Sequence, residues 1–283
     1  MKESCDIAIA QVGFLGEDLE EHVSSLKAII EEHADADLLV FPELILHGHP
    51  SVDRPAGFLY RRSRALYGPI SRDIHRFIRD RQARVVLGEI RRRKERLSNI
   101  ASYVDAEGSQ HYTKTHVHWT EDFIRGRKLK TFDTPLGKVG INICFDAAFT
   151  EVWRVLALRG AEIIVNISAV PSEFPAAYMH RRMRGAALNN QVFVVYANRP
   201  GPYFGGKSAV FDPHGEEMVG AGTGPEVLRA EVDLVALRAW RAEERIFANR
   251  RPGLYRTLDN AALPARARRE LEGLEEPAAM PAT

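Results

Sequence analysis

This chain of 283 residues predicts a layered α/β domain, and three observations carry that expectation. Segments of strand-like period two alternate with segments of helical period along most of its length. Leu38-Leu39-Val40-Phe41 is an unbroken apolar run, as expected of a strand buried on both faces. Strand–turn–strand sections interrupt the alternation, which favours a sandwich of sheets over one doubly wound sheet.

Taken in order, residues 6–12 (Asp-Ile-Ala-Ile-Ala-Gln-Val) read as the first strand. Leu19, Val23, Leu26 and Ile30 then fall on one helical face, and Pro42 ends the strand at 38–41. Ile70, Ile74, Phe77 and Ile78 mark a second helix, followed by a strand at Val85-Val86-Leu87. Strand-like segments near 98–104 and 109–113 flank Glu107-Gly108, which reads as a hairpin turn. Val139, Ile141 and Ile143 alternate with Gly140, Asn142 and Cys144, the period of a strand with one apolar face. Val152, Val155 and Leu156 return at helical spacing. Ile163-Ile164-Val165, a helix around 176–190 and the strand 192–196 continue the pattern, with strand and turn signals at 209–215 and 227–232. From residue 260 the chain is rich in Ala, Pro, Arg and Glu. The expectation is one domain over 1–259 and a tail over 260–283, either disordered or packed on a partner subunit.

Composition narrows the class. A hydrophobic fraction of 45% and a charged fraction of 27% are ordinary for a soluble globular protein. A net charge of +1 supplies no global attraction to nucleic acid or to an anionic membrane. The amino terminus lacks the apolar core of a signal peptide, and no apolar run approaches the roughly 20 residues of a membrane span. Two cysteines in such a chain argue against a disulfide framework and for a reducing cytoplasm. Cys5, at the start of the first strand, reads as buried filler. Cys144 stands on a strand-to-helix turn, where a thiol is held out of a sheet near the positive end of a helix dipole.

In α/β sheets, ligand-binding groups gather beyond the carboxyl ends of strands. Glu43, Lys114 and Cys144 each occupy such a place. Together they suffice for acyl transfer. A carboxylate can take the thiol proton and return it to a leaving amine, while a lysine and a backbone N–H stabilise the oxyanion.

Phe41-Pro42-Glu43, Tyr112-Thr113-Lys114-Thr115-His116 and Cys144-Phe145-Asp146, with Phe149, Glu151 and Arg154, resemble the nitrilase superfamily of carbon–nitrogen hydrolases. The resemblance continues through Gly160–Ile164, Asn190–Val194, Ala197-Asn198, Gly206–Gly215 and Arg251–Tyr255, covering about residues 5–257. It implies a four-layer αββα sandwich, dimerised so that sheets stack across the subunits. It also implies Glu43 as general base, Cys144 as nucleophile and Lys114 as stabiliser of the tetrahedral intermediate. Glu121 falls where many members carry a second glutamate that orients lysine and substrate, and the N–H of Phe145 is the implied second oxyanion donor. Thr113, Thr150 and Asn189 depart from the family's usual arginine, proline and glutamate, but none is in the triad.

The residues after the thiol choose the branch. Nitrile-cleaving members carry Trp-Glu where this chain has Phe145-Asp146, and amino-acid carbamoylases place a carboxylate-gripping arginine where it has Ala147-Ala148. The expectation is hydrolysis of a linear, non-peptide carboxamide, with ammonia released through a thioester on Cys144. Its alternatives are an N-carbamoyl amide hydrolase, a nitrilase, or an acyltransferase that passes the thioester to an amine. Small-molecule amide, no cofactor, no metal, no nucleic acid, no membrane and a homodimer or larger assembly complete the expectation. Trp119, Phe149 and Tyr60 are candidate pocket residues, with Phe174 and Tyr178 behind them.

Three features invite other readings. His47-Gly48-His49 and His116-Val117-His118 have metal-like spacing but no accompanying ligand set, so they read as pocket rim. Arg91-Arg92-Arg93-Lys94-Glu95-Arg96 resembles a nucleic-acid patch, but its place between two strands reads as an exposed hairpin turn. From another class, a catalytically silent interaction protein on this scaffold is disfavoured by the intact Glu43, Lys114 and Cys144.

Overall fold

A computed structural model describes residues 2–15, 18–49, 67–93 and 96–258. Tyr60 and the tail 260–283 lie outside the described residues. By its internal contacts the chain divides after Glu243 into a long first unit and a short second one.

The first unit is built on two six-stranded sheets. One has the order β12-β1-β2-β3-β4-β5, from β1 (Ser4–Gln11), β2 (Leu38–Val40), β3 (Val85–Arg93), β4 (Arg96–Asp105), β5 (Gly108–Thr113) and β12 (Glu226–Asp233). The other has the order β11-β10-β9-β8-β7-β6, from β6 (Thr131–Thr134), β7 (Gly137–Ile143), β8 (Ile163–Ser168), β9 (Phe193–Asn198), β10 (Ala209–Phe211) and β11 (Glu217–Gly220). β1, β2 and β3 run parallel, as do β7, β8 and β9, and the outer strands pair antiparallel. These parallel trios end at the same rim, which is where the candidate groups stand.

Strand parity decides the layers. Ile7, Ile9 and Val40 from the first sheet join Ile141, Ile143, Val165 and Val195 from the second in one buried core. Ala8, Leu39, Val85 and Leu87 point the other way, onto Leu26 and Ile30 of α1 (Leu19–Glu32) and Ile74 and Ile78 of α2 (Tyr67–Asp80). Helices α3 (Thr150–Leu158) and α4 (Ala176–Asn190) pack on the second sheet. The result is the expected αββα order. Each fully buried Ile, Leu or Val contributes about 1.5–3 kcal/mol of hydrophobic transfer, so the two cores dominate stability and leave the rim free for polar chemistry.

Local chemistry fixes the element ends. Asp18 caps α1 by accepting from the N–H groups of Glu20 and Glu21, both at 2.9 Å. Asp105 accepts from the N–H groups of Glu107 and Gly108, closing a turn centred on Ala106-Glu107, one residue earlier than the sequence pattern indicated. In the basic run 91–96, Arg93 at the end of β3 pairs with Arg96 at the start of β4, and residues 94 and 95, where the turn was expected, lie outside the described residues. Three elements carry too little apolar pattern to be foreseen, β11 among them with no fully buried residue. β6 buries only Phe132, and α5 (Leu234–Glu243) follows β12 without a break. Its cap, Asp233, accepts from the N–H groups of Val235 and Ala236. Among the described residues no helix is long and apolar enough to cross a membrane. The second unit's described part carries a short 3-10 turn over Pro252–Leu258.

Candidate active site

Three strand ends deliver the candidate groups. Glu43 sits in the turn after β2, which is clamped to β3 by Phe41 N–H to Val86 O at 2.8 Å and Leu46 N–H to Gly88 O at 3.1 Å. The clamp needs glycine at 88: a Cβ there would lie 2.3 Å from the Pro42 carbonyl oxygen and 2.5 Å from the Leu44 nitrogen. Leu44 itself takes φ 54°, so the turn is held in an uncommon backbone conformation. Lys114 follows β5. Gly126 packs against it, donating its N–H to the Lys114 carbonyl at 2.7 Å where a side chain would strike Thr113. Cys144 follows β7 with φ 46°, and opens a 3-10 turn over Cys144–Ala148. The α-helix α3 starts only at Thr150, so the partial positive charge beside the thiol comes from this short turn and not from a full helix.

These groups converge. Lys114 Nζ donates to Glu43 Oε1 at 2.9 Å and to Glu121 Oε1 and Oε2 at 3.0 and 2.8 Å. Glu43 Oε1 also accepts from Asn99 Nδ2 at 2.6 Å, and Oε2 from the Ala169 N–H at 2.9 Å. Glu43 and Lys114 are each 1% exposed, so their pairing is shielded from water. Cys144 lies within the electrostatic influence of Glu43, Lys114 and Glu121.

The electrostatics set the resting protonation. Burial raises the Glu43 carboxyl, but Lys114 and the hydrogen bonds outweigh it and hold the group below the usual carboxylate range. Burial disfavours the Lys114 ammonium, yet Glu43, Cys144 and Glu121 reverse this and push it above the ordinary lysine range. Glu121 is raised by burial and by repulsion from Glu43, so of the two carboxyls it holds a proton more readily. The Cys144 thiol is pushed up by burial and by Glu43, against the pull of Lys114. At neutral pH the site therefore rests as thiol, carboxylate and ammonium. The proton that a nucleophilic sulfur must lose has an acceptor in the same cluster.

The other expected residues make ring contacts among themselves, and Phe145 follows Cys144 directly. Phe145 meets Trp119, His118 and Phe149 edge to face, with centroids 5.6, 5.0 and 5.4 Å apart. His118 stacks on Trp119 and His116 on Phe149, both at 3.8 Å. Phe174 and Tyr178 pair with one another at 5.1 Å and, at 39% and 40% exposure, are not core. The histidines have other work: His47 Nδ1 accepts the Ile90 N–H, His116 Nδ1 meets Asp146, and His118 Nδ1 meets Thr120. Among the described residues no group of three or more His, Cys, Asp or Glu side chains is arranged to hold a metal.

Sequence reasoning missed Asn99, the Ala169 N–H and the bracing role of Asp146. Asn99 was findable, because an amide inside the buried strand β4 requires a partner. Asp146 is fully buried and accepts from Tyr112 Oη, Thr115 Oγ1 and the N–H groups of Ile143 and His116. Ala169 contributes only backbone, which no side-chain pattern marks.

Comparisons with known proteins bear on the family and the fold. The profile of the family described as Carbon-nitrogen hydrolase matches residues 6–242. An (R)-stereoselective amidase from a Pseudomonas species is 32% identical over 80% of this chain and 84% of its own. A nitrilase from Pyrococcus abyssi is 31% identical over 83% of this chain and 93% of its own. In fold, the crystal structure of a carbon–nitrogen hydrolase from Helicobacter pylori G27 superposes with a TM-score of 0.78 at 23% identity, covering 90% of this chain and 98% of that one.

Proposed function

The chain belongs to the carbon–nitrogen hydrolase family of the nitrilase superfamily, and on that premise we propose that it hydrolyses a linear, non-peptide carboxamide through a thioester on Cys144, with Glu43 as base and Lys114 as oxyanion partner. The observation that carries the reading is the buried cluster in which Lys114 Nζ bridges Glu43 at 2.9 Å and Glu121 at 2.8 Å beside the thiol.

The steps balance on these groups. Glu43 takes the Cys144 proton as Sγ bonds to the amide carbon, and the carbonyl pair moves onto oxygen. The oxyanion is met by Lys114 Nζ and the Phe145 N–H. As the oxyanion collapses, the carbon–nitrogen bond breaks and Glu43 gives its proton to nitrogen, releasing ammonia. Water then attacks the thioester, Glu43 accepts its proton, the carbon–sulfur bond breaks and the proton returns to Sγ. Glu121 keeps Lys114 aimed throughout. A raised thiol beside a lowered carboxylate favours proton transfer concerted with attack over a standing thiolate.

Phe145-Asp146 and Ala147-Ala148 after the thiol support an amide over a nitrile or an amino-acid carbamoyl group. The reading includes a homodimer or larger assembly in the cytoplasm, open to sedimentation and fractionation. Ammonia release from simple amides, ω-amides, carbamoyl compounds and nitriles tests the reaction. Amides are expected to lead; turnover of nitriles alone would overturn the branch. Hydroxylamine added to the assay would expose acyl transfer, as hydroxamate formed faster than acid.

A further inference from the structure

We propose that the rings beside the nucleophile form a slot for a flat aromatic acyl group, so that the preferred substrate is an uncharged primary carboxamide bearing an aryl ring. This rests on the amide-hydrolase reading above and adds the substrate class.

The first observation is continuity. Phe145 directly follows Cys144, and its ring is touched edge-on by His118, Trp119 and Phe149 at interplanar angles of 83°, 84° and 87°. His118 lies flat against Trp119, and His116 against Phe149. Edge-to-face and stacked contacts alternate from the nucleophile's neighbour outward, the two arrangements aromatic pairs prefer, so a substrate ring reaching this group would find both kinds of partner.

The second is exposure. The fold buries Phe41, Phe132, Tyr103 and Tyr112 almost completely, yet leaves Trp119 67% exposed at the outer end of this group. Phe145, Phe149, His116 and His118 are partly exposed. A large apolar surface open to water next to a nucleophile is the informative kind of exposure, because single scattered apolar residues carry no message.

The third is charge. Burial and the nearby Lys114 hold His118 below the ordinary histidine range, so its imidazole is neutral at pH 7. His116 Nδ1 is committed to Asp146 at 2.9 Å. Lys114 Nζ, held by Glu43 and Glu121, is given to the oxyanion in the proposed reaction, and Ala147 and Ala148 offer no cation. This wall can stack on a ring. It offers no cation to pair with a substrate carboxylate.

Initial rates with 2-phenylacetamide, propionamide, succinamic acid and acetanilide test the proposal on the full chain, with Trp119→Ala and Trp119→Phe beside it. Phenylacetamide should exceed propionamide by roughly tenfold in kcat/KM, mostly through KM, the size of effect expected from ring packing. Trp119→Ala should reduce that ratio about tenfold, and Trp119→Phe should restore most of it. Preference for succinamic acid, or a ratio unmoved in Trp119→Ala, would overturn the slot. Preference for acetanilide would overturn its placement on the acyl side. If no amide is turned over at all, the parent reading fails and takes this one with it; turnover without ring preference sinks only the slot.

Discussion

Asp146, two residues beyond Cys144, accepts the main-chain N–H of His116, two residues beyond Lys114, at 2.8 Å. The same carboxylate takes Thr115 Oγ1 and Tyr112 Oη at 2.8 Å each and the Ile143 N–H at 3.0 Å. One buried side chain thus ties the turn carrying the nucleophile to the segment carrying the lysine. Asp146→Ala would leave several buried donors without an acceptor. Each hydrogen bond to a charged group is worth about 1.5–3 kcal/mol, so a loss of at least about 3 kcal/mol is expected in urea unfolding. Asp146→Asn should fall between, because an amide oxygen still accepts.

Glu43 sits where its proton affinity matters most. Glu43→Gln keeps the shape and an oxygen for Asn99 or Ala169, but removes the base. Activity should drop by about 10²–10⁴-fold, the usual range for a general base. Circular dichroism and thermal melting of the same sample check that the fold survives.

The thiol is raised and the carboxyl lowered, and both directions have pH consequences. A lowered Glu43 contributes stability that is present above the ordinary carboxylate range and lost as pH falls through its folded value. A raised Cys144 contributes stability that is complete below about pH 8.5, where a free thiol ionises, and is lost as pH rises towards its folded value. Modification of Cys144 by methyl methanethiosulfonate should therefore accelerate through and beyond pH 8.5, with no plateau near neutrality. A neutral plateau would mean a standing thiolate. Cys144→Ala supplies the blank for Cys5, which is fully buried.

Gly88 acts on Glu43 from another strand. Gly88→Ala would push a methyl group into the Pro42 carbonyl and the Leu44 nitrogen. The turn must move, and Glu43 moves with it. A drop in kcat of about tenfold or more is expected alongside destabilisation of about 1–3 kcal/mol, the usual cost of overpacking. Gly88→Ala introduced into a Glu43→Gln background should matter far less to rate.

Much of this was legible in the chain itself. β7 alternates with period two and β2 is a short apolar run ended by Pro42, and their ends point at Cys144 and Glu43 without a structure. Lys114 and Glu121 came from the order of motifs, since a lone lysine after a strand has no signature of its own. The bracing contacts were not legible. Asn99 and Asp146 act across strands distant in sequence, and the Ala169 N–H belongs to backbone shape. Phe145, Trp119 and Phe149 were named singly, but their mutual edge-to-face arrangement depends on side-chain direction. The 3-10 turn after Cys144 also escaped, because Phe145-Asp146-Ala147-Ala148 has the composition of a helix start.

The central claim is a covalent acyl group on Cys144. Intact-protein mass spectrometry of enzyme quenched in acid during turnover of an amide tests it most directly. The account predicts a mass increase equal to the acyl group minus one hydrogen, mapped by peptide analysis to Cys144 and absent from Cys144→Ala. Full turnover in Cys144→Ala, or an adduct on any other residue, would contradict it.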